Sequence, residues 1–560
     1  LDGVEQQINR IFMAHTTLFQ LLQRAVAKAY SSEKFSSTNA GDADDGESER
    51  SPTSVSLSRR SLLRCSALAA GALALGELPP SIQTASPPRI AVVGGGIAGL
   101  NAAYTLQKLG LVATVYEAKP YVGGRIQSRE GLIVPGLVND LGAAFINSDH
   151  HDLLAIVKEL GLELFDRRSL TRTLPFPEVA FYFEGRTLEE WELVEALTPL
   201  AAQIGRDGAL LVEDFDRYAP QFDALSVADY LDLHQDKIGQ RYVRSLLEAT
   251  IRSEYGVEAH ESSALQLIYN LPQVRNRRAE PLTADELFLV KGGTGRIPQT
   301  LAARLQNPVK TGWRLQFIQG QGSGFRLSFN QGAIAADYVI LALPFPALRR
   351  VDLRVELPRT LREFIQECGP GRNEKLFAGF THRPWLQPRG FTGGAWSDLG
   401  YSGLWDDTQR QPEHHQGVLT FYLGGDELRC AEGDVADRGR EIVSRTVPHL
   451  RELQGAAGDR YARTAWAKDP DFGGGYSTFG PGQYLKFKDF LYVESADPLQ
   501  QQTVTVGNLA FAGEQFSDEY YGYMNGAAQT GRLAAGAIYA AIASQLAPRT
   551  HPESARPIYL

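Results

Sequence analysis

The residues whose types and spacing could do chemistry begin at "GGGIAG", where Gly94, Gly96 and Gly99 stand at G-x-G-x-x-G spacing. The first glycine permits a tight turn. The second lets backbone approach a pyrophosphate, and the third allows a helix to pack close to a strand. Glu117 follows at the distance where an acid accepts hydrogen bonds from ribose hydroxyls, and its charge disfavours a 2′-phosphate. "VGGR" then supplies Gly123, Gly124 and Arg125, an arginine able to reach a pyrophosphate from its other side. Far downstream, "FAGEQFSDEYYGYMNGAAQTG" (511–531) crowds glycine and alanine against tyrosines. Such a stretch either packs tightly for the fold's sake or lays backbone against a cofactor. Metal chemistry has no comparable signal. Cys65, Cys368 and Cys430 show no C-x-x-C spacing, there is no H-E-x-x-H, and His414–His415 sit in the polar "QPEHHQG". No metal site is expected.

These residues need particular elements to hold them. "RIAVV" reads as a short buried strand, "LNAAYTLQKLG" as a helix stopping at Gly110, and "VATVYEA" as a second strand ending at Glu117. Strand, glycines, helix, strand and acid thus come in the order of a βαβ unit, whose helix N-terminus offers free N–H groups and a positive dipole end to phosphates. The "VGGR" block is the second motif of flavoproteins that bind FAD in an extended form, and it moves the reading from NAD to FAD.

From about Arg89 to about Ala541 the chain resembles the FAD-dependent amine oxidase family, which includes monoamine, polyamine and L-amino-acid oxidases. The resemblance runs through ordered blocks: "VNDLGAAFI" (138–146), "LVKGGTGRIPQTLAARL" (289–305), "ADYVILALPFPALRRV" (336–351), "GRNEKLFAGF" (371–380), "GGGYSTFGPG" (473–482) and the 511–531 stretch. It implies that Val309 meets the adenine through its backbone, and that Lys375 holds a water against flavin N5. Gly513 and Glu514 would meet the ribityl and phosphate portion. Met524 opens a helix whose Gly526, Ala527 and Ala528 lie close to the isoalloxazine ring. Tyr476 and Tyr523 match the two aromatic positions that flank the substrate nitrogen. Gly475 stands where some monoamine oxidases carry a flavin-linking cysteine, so FAD is expected to be non-covalent. "GAAFIN", with Ala144 and Phe145, replaces the arginine-bearing stretch with which L-amino-acid oxidases pair the substrate carboxylate. The implied reaction is oxidative deamination of an amine by hydride transfer to flavin N5. The imine hydrolyses to an aldehyde and ammonia, and dioxygen reoxidises the flavin to give hydrogen peroxide. An L-amino-acid oxidase giving a 2-oxo acid, with basic amino acids as its candidate substrates, is the near alternative. A carotenoid- or porphyrinogen-type flavin enzyme is a further one. A non-catalytic FAD-binding interaction protein is the alternative of another class.

The implied fold is α/β, a Rossmann-like FAD-binding domain with an inserted α+β substrate-binding domain. The FAD domain is expected from 86–165, 286–345 and 476–545, and the substrate domain from a mostly helical 166–285 and a mixed 346–475, with a tail at 546–560. Residues 1–57 read as an amphipathic helix (8–26) and a polar, acidic linker (31–56) expected to be disordered. "SRRSLLRCSALAAGALALG" (58–76), within a segment 58–85, resembles a twin-arginine export signal, with an apolar run too short to span a bilayer. It implies passage through the Tat translocase to the periplasm or extracellular side; without it the protein would be cytoplasmic. A net charge of −9 gives no reason to expect a nucleic-acid partner and suits a cationic substrate. A homodimer is compatible with the sequence.

Overall fold

A computed structural model describes residues 87–546, apart from 172–178, 271–273, 276–277, 280–285, 387–390, 392–393, 431, 446–454, 496 and 498. The expected N-terminal helix, linker, export signal and C-terminal tail lie outside the described residues.

The first layer grows from "IAVV", Ile90–Val93, four consecutive buried apolar residues. A run without polar alternation suits a strand covered on both faces. It sits inside a six-stranded sheet, between Ala113–Glu117 on one side and Tyr338–Leu341 on the other, both parallel to it. Lys310–Thr311 extends the sheet beyond Ala113–Glu117, and Leu509–Phe511 extends it beyond Tyr338–Leu341. Thr505–Val506 closes that edge as an antiparallel hairpin partner. Two helices cover one another beside this sheet. Ile97–Lys108 leaves the glycine turn, and Met524–Leu546 lies against it. Their approach is close because a Cβ at Gly531 would overlap the Ala98 carbonyl, while Asn101 Nδ2 donates to the Ala528 carbonyl at 2.7 Å.

The second layer is a seven-stranded sheet in the order Ala457–Arg463, Asn373–Phe380, Gly417–Gly424, Gly403–Asp406, Gly394–Ser397, Val179–Phe183, Arg186–Leu188. Residues 166–285, expected to be mostly helical, therefore also supply two strands to this sheet. Their hairpin turns on Glu184 and Gly185, both at positive φ (53° and 77°), as a two-residue loop requires for a right-twisted pair. The helical part of this segment includes Arg241–Tyr255, which ends at Gly256 in the left-handed region (φ 64°). Phe288–Val290 does not join the parallel sheet; it pairs antiparallel with Leu164–Asp166.

Candidate active site

A cavity of ≈ 330 Å³ runs between the two sheets, from the glycine turn to the C-terminal helix. At one end Gly94 holds φ +114°, and a Cβ there would overlap the Ala342 carbonyl oxygen. Gly99 packs so closely that its Cβ would overlap the Gly94 carbonyl, whereas above Gly96 there is open space. That is a cradle in which backbone faces an elongated group. Glu117 is buried and accepts from the Gly95 and Lys119 N–H groups, each at 2.6 Å; burial pushes its carboxyl up from the ordinary glutamate value. Gly123 donates to the Gly95 carbonyl at 2.8 Å, which sets Gly123 and Gly124 beside the first turn.

Arg125 spans to the other side. Its Nη1 donates to the Gly475 carbonyl at 2.7 Å and to Glu514 Oε1 at 2.8 Å. Glu514, 5% exposed, also accepts from the Ser477 hydroxyl at 3.1 Å and the Gly522 N–H at 2.9 Å. One ion pair thus ties the second glycine motif to both tyrosine-bearing stretches. Gly513 is at φ +142°, and its N–H donates to Thr530 Oγ1 at 3.0 Å. Met524 and Ala527, from the first turn of the last helix, line the cavity. Val309 does not line it; it is half-buried just before Lys310–Thr311. Trp313 and Arg314, a few residues on, face the cavity instead, with Trp313 5.4 Å from the Tyr116 ring.

At the far end, Lys375 comes from Asn373–Phe380, a strand buried along its whole length. Its Nζ donates to the Asp140 carbonyl at 2.9 Å and the Gly142 carbonyl at 2.7 Å, over the Trp405 ring at 5.2 Å. Burial lowers its pKa, against the opposing pull of Asp407 and Asp140. The loop it grips is anchored by Arg410 and Asp140, whose side chains are wholly inaccessible and 2.5 Å apart. Asp140 additionally accepts from the Ser128 hydroxyl (2.5 Å) and from the Thr294 N–H and hydroxyl (3.0 Å each). A buried pair needs such extra donors to offset desolvation.

Tyr476 and Tyr523 both line the cavity. The Tyr476 hydroxyl donates to the Ser253 carbonyl at 2.6 Å and lies 2.9 Å from the Tyr422 hydroxyl. The Tyr523 ring meets His150 edge-on at 5.1 Å between centroids. Burial raises both phenols well above the ordinary tyrosine value, so they stay neutral. The sequence reading missed several lining residues: Glu254, Glu286, Arg167, Tyr422 and Trp405. Glu254 sits in "RSEYG" at the end of a helix, where an acid among apolar positions is a weak signal. Arg167 lies over the Phe145 ring at 4.5 Å and donates to Gln409 Oε1 at 3.0 Å.

The family described as flavin containing amine oxidoreductase matches residues 97–539. The chain belongs to that family. Among similar proteins, a putative flavin-containing monoamine oxidase AofH of Mycobacterium tuberculosis (strain ATCC 25618 / H37Rv) is 25% identical over 480 residues, 80% of this chain and 96% of that protein. An L-amino acid dehydrogenase of Synechocystis sp. (strain ATCC 27184 / PCC 6803 / Kazusa) is 22% identical over 465 residues, 80% of this chain and 94% of that protein. In fold, the chain is similar to cyclohexylamine oxidase from Brevibacterium oxydans IH-35A, with TM-score 0.67, 22% identity, and coverage of 82% of this chain and 100% of the other. Putrescine oxidase gives TM-score 0.66 at 21% identity, covering 81% and 99%.

This flavin amine oxidase is therefore an FAD-dependent oxidoreductase acting on amines, with the Rossmann-like and substrate-binding layers expected from its motifs. Its residues fit the cofactor. The open cradle above Gly96, the acid at Glu117 and the small first turn at Met524–Ala527 share one cavity. The FAD is non-covalent, and among the described residues no cysteine lines the cavity; Cys368 is buried elsewhere, donating to the Thr478 carbonyl.

Proposed function

We propose that this chain oxidises a small amine to an imine, which hydrolyses to an aldehyde and ammonia, with dioxygen as acceptor and hydrogen peroxide as product. The observation that carries the reading is the meeting of Tyr476, Tyr523 and buried Lys375 in one cavity with the glycine cradle. Bound FAD supplies the redox chemistry, accepting an electron pair from the carbon beside the amine nitrogen and returning it to dioxygen. The protein's part is placement and dryness. Tyr476 is held at its hydroxyl end by Ser253 and Tyr422, so its ring is fixed as a wall. Its neighbour Tyr523 is braced by His150. Neutral phenols leave the reacting nitrogen no anion to bind, which favours the free amine as the reactive form. An ammonium has three N–H donors. Two of those on Lys375 go to carbonyls, which leaves one for a water or dioxygen in the cavity it lines.

A second reading, oxidation of an L-amino acid, draws support from Arg167. This arginine reaches the cavity over Phe145, beside the segment that lacks the expected arginine. Its guanidinium is already engaged by Glu286 at 3.5 Å and by Gln409, which favours the amine. The test is anaerobic bleaching of the bound flavin by a panel of amines and L-amino acids, with product analysis. An aldehyde supports the amine reading and a 2-oxo acid the other. Bound flavin that no compound bleaches, with no peroxide released in air, overturns both.

A further inference from the structure

The helix Arg241–Tyr255 ends at the cavity, where Ser253, Glu254 and Tyr255 form part of its wall. Glu254 is 6% exposed, and its Oε1 has no hydrogen-bond partner. The other carboxylates on the wall are answered. Glu514 has Arg125, Glu286 has Arg167, Glu374 has Arg463, and Asp471 has Lys119 and Arg314. Glu117 is met by two backbone N–H groups. A buried carboxyl without a partner is costly, and natural structures keep one where something else completes it.

Two further features fix the sign of what is missing. The carboxyl stands at a helix C-terminus, the negative end of the dipole, so both fields attract a cation. The carbonyl of Ser253, the residue before it, takes the Tyr476 hydroxyl, and Glu254 and Tyr476 line the same cavity. Burial raises the Glu254 carboxyl well above the ordinary glutamate value, and an arriving cation is what would draw it back to the charged form.

We propose that Glu254 receives a second, non-reacting cationic group of the substrate, so that the amine oxidised here is one end of a diamine or of another molecule with a distal ammonium. The inference rests on the amine-oxidation reading and deepens it. The reacting nitrogen lies between the tyrosines as free amine, and the remote ammonium forms a charge-assisted hydrogen bond that holds the chain in register.

The holoenzyme is mixed anaerobically with n-alkylamines, with α,ω-diaminoalkanes of matched length, and with L-lysine, and bleaching of the flavin is followed. The best compound with a distal ammonium should exceed its matched monoamine by about ten- to a hundredfold in reduction rate per concentration, the worth of a charged hydrogen bond. Glu254→Gln should bring that ratio close to unity. Glu254→Asp keeps the charge on an arm shorter by one methylene, and should move the preferred diamine to a chain longer by one carbon. Preference for L-lysine over every diamine supports the distal cation on an amino acid; preference for a diamine supports it on a simple amine. Equal bleaching by matched monoamines and diamines, or a ratio that Glu254→Gln leaves unmoved, overturns the assignment with amine oxidation intact. Absence of bleaching by any amine or amino acid overturns the parent reading and this one with it.

Discussion

Replacing Tyr476 by phenylalanine removes one oxygen and leaves the ring. The oxygen makes two contacts: a hydrogen bond to the Ser253 carbonyl at 2.6 Å and a shared one with Tyr422 at 2.9 Å. The Ser253 carbonyl keeps the Asn373 side-chain amide at 3.2 Å, so the group left without its partner is the hydroxyl of half-buried Tyr422. That costs about 1–2 kcal/mol of stability, the usual penalty for one unpaired neutral polar group. The ring still walls the cavity, so anaerobic flavin reduction by a saturating amine should slow by no more than about threefold, well under 1 kcal/mol of barrier. Tyr476→Ala removes the wall itself. It should cost about 3 kcal/mol of stability, the low end of aromatic truncations, because Tyr476 is half-buried at the cavity wall. It should slow reduction by roughly a hundredfold, the order expected when a substrate loses its near-attack placement. Stopped-flow bleaching and thermal melts on both variants give the four numbers. If phenylalanine slows reduction as much as alanine does, the hydroxyl and not the ring face serves the reaction, and the wall argument is wrong.

Lys375→Met should slow reoxidation of the reduced flavin by oxygen by about tenfold or more while reduction changes less, a split expected if the amine acts on dioxygen or its water; equal slowing of both half-reactions would make the lysine a structural brace of the Asp140–Gly142 loop. Gly99→Val should yield soluble but colourless protein, because any Cβ there overlaps the Gly94 carbonyl and lifts the helix from the first turn; a yellow variant with unchanged FAD affinity would refute the close-packing role. Burial pushes the Asp407 carboxyl up to about 6, above the ordinary aspartate value. The native state then holds a proton that the unfolded chain has lost, so stability is fully present below about pH 4, falls as pH rises to about 6, and is level beyond, by roughly 3 kcal/mol at most. Asp407→Asn should flatten that decline in urea titrations, and an unaltered slope would remove Asp407 as its source.

The nucleotide end was legible because its requirements are local. Gly94, Gly96, Gly99 and Glu117 lie within one βαβ unit, and glycine spacing there follows from turn geometry that any sequence must obey. Val309 was harder to read. A residue next to a two-residue edge strand can shift by a few places without altering the pattern, and Trp313 faces the cavity instead. The substrate end was legible only in part. Tyr476, Tyr523 and Lys375 stood in glycine-rich or strand blocks that resembled known ones, while Glu254, Arg167 and Tyr422 come from three separate elements with no shared motif. Their meeting depends on how the second sheet lies over the first, which is long-range packing rather than local pattern. The strand pair Val179–Phe183 and Arg186–Leu188 was missed in the same way, although apolar residues at Val179, Phe181 and Phe183 carried the alternation.

The six-stranded sheet draws on strands separated by nearly the whole described chain, and the last wall of the flavin cavity is the first turn of Met524–Leu546. During synthesis the glycine turn at Gly94 must therefore wait, unclad, through more than four hundred further residues before its lid helix leaves the ribosome. Capture of the dinucleotide belongs to the end of translation, and a nascent chain halted before that helix should emerge without pigment.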